Sequence, residues 1–293
     1  MELSNIFSML GGLALFLYGM NMMSNGLELA AGNKMKSILE KLTSNRILGV
    51  LVGALVTAVI QSSSATTVMV VGFVNSGLMS LTSAVWVIIG ANIGTTITGQ
   101  LIAINITALA PLFAFIGVAM IVFFKSKKLD AIGTVIGGLG ILFIGMETMS
   151  KAMVPLRTMP EFVGLISKFQ NPLIGIIVGA LFTALIQSSS ASVGILQALA
   201  KSGVMTLSSS IYVLFGQNIG TCITSVLASI GTSKNAKRTT IIHLSFNIIG
   251  TVIFVTISLL FPFAHLIESI TPNNVAAQIA NVHTIFNITT TLL

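Results

Sequence analysis

From residue 47 to residue 124 the chain carries no Asp, Glu, Lys or Arg, a run of 78 residues bounded by Arg46 and Lys125. At about 20 residues per membrane-crossing helix, that run holds more than three crossings. A soluble domain has roughly 25% charged residues; here 7% of 293 residues are charged and 54% are hydrophobic. Those figures exclude a water-soluble globule and point to an all-α polytopic membrane protein. The net charge of +7 then reads as topology, with basic residues gathered at cytoplasmic helix ends, and not as a nucleic-acid surface. A single cysteine, Cys222, excludes an internal disulfide and a cysteine metal cluster. Glu2 and no Lys or Arg precede the first apolar run, unlike a cleaved signal peptide, so that run is expected to stay in the membrane.

The chain is also internally duplicated. Shifted by 126 residues, 45–98 matches 171–224 at 27 of 54 positions without a gap. GALVTAVIQSSSA (53–65) falls on GALFTALIQSSSA (179–191), and GANIGTTIT (90–98) on GQNIGTCIT (216–224). Gly12, Gly19, Met23 and Ser24 keep register with Gly138, Gly145, Met149 and Ser150. Apolar sequence can mimic apolar sequence, but shared QSSS and NIGT cannot arise that way. The expected organisation is a first repeat over 1–124, a second over 131–262 and an additional C-terminal transmembrane helix over 274–293.

Crossings are expected at 5–25, 82–104, 107–124, 131–150, 208–230 and 239–262. Hairpins at 46–80 and 171–206 have arms of about 15 residues, short for a crossing, so both are read as re-entrant hairpins broken at QSSS. Each repeat then crosses an odd number of times, which gives two inverted-topology repeats. With the N-terminus outside and the C-terminus cytoplasmic, Lys34, Lys36, Lys41, Arg46, Lys125, Lys127, Lys128, Lys234, Lys237 and Arg238 lie inside. That is 10 of the 14 basic residues, as expected at a cell (inner) membrane. Lys151, Arg157 and Lys168 are outside exceptions, and 33–43 and 155–169 read as helices on the membrane surface.

Gln61, Ser62, Ser63 and Ser64, with Thr66, place polar side chains in the middle of an apolar segment, as do Gln187, Ser188, Ser189 and Ser190 in the second copy. Such groups must face protein, water or a ligand. The break frees carbonyls near Ile60, suited to a cation, and N–H donors near Ser64, suited to an anion. Gly90, Asn92, Gly94 and Thr95 are poor helix-interior choices, so a discontinuous helix capped by Asn92 is expected there, and again at Asn218, Gly220 and Thr221. Four such junctions converging at the midplane are the plan of many secondary transporters. His243 with Asn247 and His283 with Asn287 share the spacing H-x-x-F-N, one turn apart on a helix face; a proton relay, a gate and interhelical support all stay open for them. Cys222 reads as a small packing residue, Trp86 as an interfacial anchor, Glu147 as reaching the interface and His265 as solvated in an outer loop.

At its paired QSSS and NIGT motifs the sequence resembles the type II sodium/phosphate cotransporter family, in its bacterial branch. The likeness covers nearly the whole chain, HLSFN after the second repeat included. It implies sodium-coupled uptake of inorganic phosphate, with phosphate and sodium bound at Gln61–Ser64 and Gln187–Ser190 beside Asn92, Thr95, Asn218 and Thr221. No cofactor is implied beyond Na+ as coupling ion; the expected partners are phosphate, sodium and the lipid bilayer, no nucleic acid, with a homodimer open. Many relatives continue into a cytoplasmic helical domain, whereas this sequence ends at Leu293 within or at the end of a crossing, and 90–104 lacks the acidic residue that some members carry. With no Lys or Arg at the hairpin tips, the charge of a bound anion must be offset by helix ends, hydroxyls and a co-bound cation. A carrier of sulfate or a dicarboxylate and a passive anion channel keep the same architecture. A serine hydrolase does not: no base adjoins the serines and no G-x-S-x-G surrounds them. A phosphate sensor would need a signalling domain.

Overall fold

The computed structural model describes residues 2–31, 38–39, 45–104, 106–124 and 126–293. Lys34, Lys36, Lys41 and Lys125, and most of the expected surface helix 33–43, lie outside the described residues. The helices run in the order α1 (Leu3–Ala31), α2 (Arg46–Ile60), α3 (Ser63–Asn75), α4 (Leu81–Ala103), α5 (Ala110–Phe123), α6 (Lys127–Met153) and α7 (Pro160–Ser167). They continue as α8 (Pro172–Ile186), α9 (Ser189–Lys201), α10 (Leu207–Gly220), α11 (Ile223–Ala228), α12 (Lys234–Leu260), α13 (Phe263–Ile270) and α14 (Val275–Leu292). Among the described residues five stretches are long and apolar enough to cross a bilayer: Leu3–Ala31, Leu81–Ala103, Lys127–Thr158, Leu207–Ala228 and Lys234–Leu260. Pro160–Gln170 and Pro172–Ile186, meeting at 103°, make a sixth if taken as one span.

Two expected crossings fall outside that set. The 107–124 segment is a short 3-10 turn followed by the 14-residue α5, about 21 Å long against a hydrocarbon core of about 30 Å. The helix expected at 274–293 forms as α14, but its 18 residues include Gln278, His283, Asn287 and Thr290, all buried. A helix enclosed by protein can meet its polar groups with protein partners, so apolarity alone does not mark it.

Glycine decides how the long helices meet. On α1, Gly12 faces Gly145 and Met149 of α6, Gly19 faces Gly138 and Leu142, and Gly26 faces Ala131 and Val135. Rising numbers meet falling ones, so α1 and α6, which occupy matching places in the duplication, run antiparallel. Between α2 and α4 the numbers rise together: Gly49 meets Trp86, Val50 meets Gly90, and Ala54 meets Gly94. Gly175 with Tyr212, Ile176 with Gly216, and Ala180 with Gly220 repeat the pattern between α8 and α10. In each copy the first arm therefore runs parallel to the long helix after it, and the intervening arm, α3 or α9, doubles back.

These contacts overturn the expected discontinuous helix at NIGT in the first repeat. α4 runs unbroken from Leu81 to Ala103 with Asn92 in its interior, capping nothing. Its glycines are there because a Cβ at Gly90 would strike the carbonyl of Val50 and one at Gly94 the backbone of α2. Small residues that admit a neighbouring backbone, and not helix breaking, account for them. In the second repeat the interruption is two residues, Thr221 and Cys222, between α10 and α11, with near-helical backbone angles and no side-chain cap from Asn218.

The core around the second repeat is aromatic. Phe215, Phe254 and Phe286 have centroids 5.0 to 5.8 Å apart, which fastens α10, α12 and α14 together. Trp86 packs its Cβ side against Gly49 and takes the Arg46 guanidinium 5.8 Å from its ring centroid. His265 lies on the short helix α13 and not in a loop, exposed, 3.7 Å from Glu268; Glu147 pairs with Lys151 at 2.7 Å.

Candidate functional site

Both QSSS segments break their helices with the same backbone. Gln61 takes φ 58°, ψ 24° and Gln187 φ 57°, ψ 23°, the left-handed region, followed by extended Ser62 and Ser188. Left-handed geometry costs a residue with a Cβ roughly 1–2 kcal/mol. Asn273 is the only other non-glycine residue with positive φ among the described residues. Strain kept twice at equivalent places points to function. Each break is closed by local bonds: the N–H of Gln61 donates to Thr57 O and that of Gln187 to Thr183 O, both at 2.7 Å. Ser62 Oγ accepts from Ala65 N–H at 3.1 Å, and Ser188 Oγ from Ala191 N–H at 3.2 Å, helix caps worth about 1 kcal/mol each.

The two breaks meet. Ser64 Oγ donates to the Gln187 carbonyl at 3.3 Å. Thr98, on α4, donates its hydroxyl to Gln61 Oε1 at 2.8 Å and lies 3.2 Å from Ser190 Oγ, from which it can accept. Ser64 with Gln187, and Gln61 with Thr98 and Ser190, are thus two bonded sets that each bring the first break against the second. Thr98 is absent from the sequence-based set, although its signal was visible: it matches Thr224 in the duplication. Ser24 was missed as well. Its hydroxyl donates to the Ile60 carbonyl at 2.6 Å, taking up one of the carbonyls freed at the end of α2.

Other expected residues divide. Ser63, Ser189 and Ser190 are buried in the first turns of α3 and α9. Thr66 bonds Thr57 Oγ1 at 3.0 Å and the Ser62 carbonyl at 3.1 Å, stitching the two arms of its hairpin. Thr95 and Thr221 turn their hydroxyls back onto Ala91 O and Gln217 O, both at 3.0 Å. Asn92 Oδ1 lies 3.3 Å from His243 Nε2, and Asn218 Oδ1 3.1 Å from His283 Nε2. The histidines therefore bind the NIGT asparagines, while Asn247 and Asn287 donate to the carbonyls of His243 and His283, both at 2.9 Å. Cys222 is buried, its sulfur 3.3 Å from Asn247 Nδ2.

The chemistry of this centre is that of hydroxyls, amides and helix ends. None of the network residues is charged, and no group of three His, Cys, Asp or Glu able to hold a metal occurs among the described residues. The first turns of α3 and α9 offer the unpaired N–H groups and positive dipole that favour an oxyanion. The amide, hydroxyl and carbonyl oxygens suit a hard cation.

A bundle of long apolar helices around a polar centre with two strained breaks defines a polytopic membrane protein built around a polar site. The sequence matches the Na+/Pi-cotransporter family over residues 15–151 and 158–277. The chain belongs to that family. It is 32% identical over 285 residues to the protein YqeW of Bacillus subtilis (strain 168), covering 95% of this chain and 90% of that one. It is 28% identical over 261 residues to YjbB of Escherichia coli (strain K12), named for inorganic phosphate export, covering 88% of this chain and 47% of that one. Over 98 residues it is 40% identical to the sodium-dependent phosphate transport protein 2A of Rattus norvegicus, covering 33% of this chain and 15% of that one. The chain thus spans about half of YjbB and a smaller share of the rat protein. No solved structure matches the chain.

Proposed function

We propose that the protein is a sodium-coupled symporter that imports inorganic phosphate by alternating access, with the substrate and sodium held where the two QSSS breaks meet. The observation that carries this reading is the meeting of the breaks through Ser64, Gln187, Thr98, Gln61 and Ser190 in a centre without a charged side chain. A phosphate anion there has only helix N-termini and neutral donors around it, and burial of an uncompensated charge is expensive. A co-bound cation supplies the missing countercharge, so sodium raises phosphate affinity and phosphate raises sodium affinity equally. Family membership supports the substrate pair.

The same reading takes α2–α3 and α8–α9 as re-entrant hairpins in two inverted repeats. The antiparallel α1 and α6 support inversion, and hairpin arms of 15 and 13 residues in each copy, short of the roughly 20 residues of a crossing, support re-entry. The protein sits in the cell membrane with its N-terminus outside, Gln61–Ser64, Gln187–Ser190 and Asn92, Asn218 forming the site. Export, the direction in the name of YjbB, is the second reading. Purified protein in proteoliposomes with an imposed inward sodium gradient decides: import predicts concentrative phosphate uptake that collapses when the gradient is dissipated. Uptake indifferent to sodium, or efflux alone, would overturn the proposal. Sulfate or a dicarboxylate carried in place of phosphate would change the substrate and leave the architecture.

A further inference from the structure

Asn92 Nδ2 and Asn218 Nδ2 are buried, each without a hydrogen-bond partner among the described residues. Their residues are only 6% exposed. Buried amide donors are nearly always satisfied, and an unsatisfied one costs about 1–3 kcal/mol. Here the same donor is left open at positions 92 and 218, which the duplication makes equivalent. In both cases the carbonyl oxygen of the amide is already engaged by a histidine, His243 on α12 and His283 on α14. An imidazole that donates its Nε2–H to Oδ1 fixes which way the amide points, turning its NH2 away from the ring.

The histidines are not products of the duplication. Positions 126 residues before His243 and His283 are Gly117 and Arg157. Two helices from outside the duplicated 45–98 and 171–224 segments therefore supply the same contact to two equivalent asparagines. Ancestry explains the paired asparagines, and a shared requirement explains the paired histidines. We infer that His243 and His283 are positioning residues that orient the Asn92 and Asn218 amides as anion donors, giving the transported oxyanion two matched NH2 groups, one from each repeat. This inference rests on the transport reading above. It adds a role for the amides that the helix N-termini and serines leave unfilled: N–H donors carried on the long helices α4 and α10, outside the hairpins.

His283 gives the cleaner test, because its Nδ1 has no partner among the described residues whereas that of His243 lies 3.2 Å from Ser225 Oγ. Sodium-driven uptake of inorganic phosphate in proteoliposomes is measured for wild type, N218A, H283A, the double variant, H283Q and H283N. A lost hydrogen bond to a charged group corresponds to about tenfold to a hundredfold in affinity. N218A and H283A are each expected to raise the apparent KM for phosphate by about that factor, with the double variant no worse than N218A alone. H283Q, whose amide nitrogen can reach the Nε2 position, is expected to stay within about threefold of wild type, and H283N, one methylene shorter, to behave as H283A. A purely structural role would lower the amount of folded protein and leave KM alone. Unchanged KM in folded H283A, multiplied effects in the double variant, or H283N outperforming H283Q overturns the positioning role. If H283A does not fold, the Gln and Asn variants decide by their order. Wild-type protein without phosphate uptake overturns the transport reading and this inference together, whereas active wild type with any of the former results overturns this inference alone.

Discussion

The two hairpins share a backbone and differ in what holds it. Gln61 and Gln187 agree within 1° in both φ and ψ. Yet Gln61 is 6% exposed, bonded through Oε1 to Thr98 and through Nε2 to the Ala58 carbonyl, while Gln187 is exposed. Thr57 and Thr66 bond across the first hairpin at 3.0 Å; the hydroxyls of their counterparts Thr183 and Ser192 are both buried without a partner among the described residues. Beside the second hairpin lies an apolar cavity of about 230 Å³ whose lining includes Phe182, Ser192 and Gln217. The first hairpin is bonded arm to arm at its break, whereas the second is held through α9, where Gln197 donates to Gly99 O and Ala276 O and Ala198 O accepts from Ser150. A duplicated motif thus reproduces its backbone break but not its engagement, since the break depends on local bonds and the engagement on which helices lie alongside.

Equivalence of the two scaffolds sets the largest effect. A Cβ at Gly53 would meet Val87 O and one at Gly179 would meet Val213 O, so Gly53→Leu and Gly179→Leu are both expected to abolish folded protein, seen as loss of a monodisperse peak in detergent. A variant of either that folds normally would break the claim that backbone contact sets the hairpin's place. Next comes the Thr98 bridge. Thr98→Val strips the partner from Gln61 and Ser190, and phosphate uptake should fall about tenfold, as expected for loss of roughly 1.4 kcal/mol. Thr224→Val should fall less, because the Thr224 hydroxyl donates to the Thr221 carbonyl of its own turn; equal losses would erase the asymmetry.

Smaller still are the arm-to-arm hydroxyls. Thr57→Val leaves Thr66 without its cross-arm partner and should lower thermal stability, by an amount equivalent to about 1 kcal/mol. Thr183→Val removes a hydroxyl that has no partner among the described residues and should be neutral or stabilising. The opposite order in melting temperature would show that the second hairpin is the bonded one. The mildest probe is labelling. In a background with the buried Cys222 replaced by Ala, Gln187→Cys should react with a water-soluble maleimide faster than Gln61→Cys, and reversal of those rates would place the open tip on the first hairpin.

Much of this was legible in residue order. The long helices followed from apolar length, and the breaks from Gln-Ser-Ser-Ser in apolar surroundings, since neither depends on distant partners. NIGT misled because glycine serves two purposes: Gly90 and Gly94 read as helix breakers, while α4 uses them to admit the backbone of α2. Only the approach of α2 distinguishes those roles. The H-x-x-F-N spacing was visible, but not that each histidine would seek an asparagine 151 or 65 residues away.

By itself the sequence determined a helical membrane protein with a duplicated, charge-free centre, because bilayer solvation acts on each segment independently and a duplication shows in residue identity. Tertiary structure alone decided which Gln of the pair is locked, that Thr98 joins the breaks, and that His243 and His283 face Asn92 and Asn218. Those are contacts between segments remote in the chain. They depend on helix approach set by small residues, a quantity that no local pattern encodes.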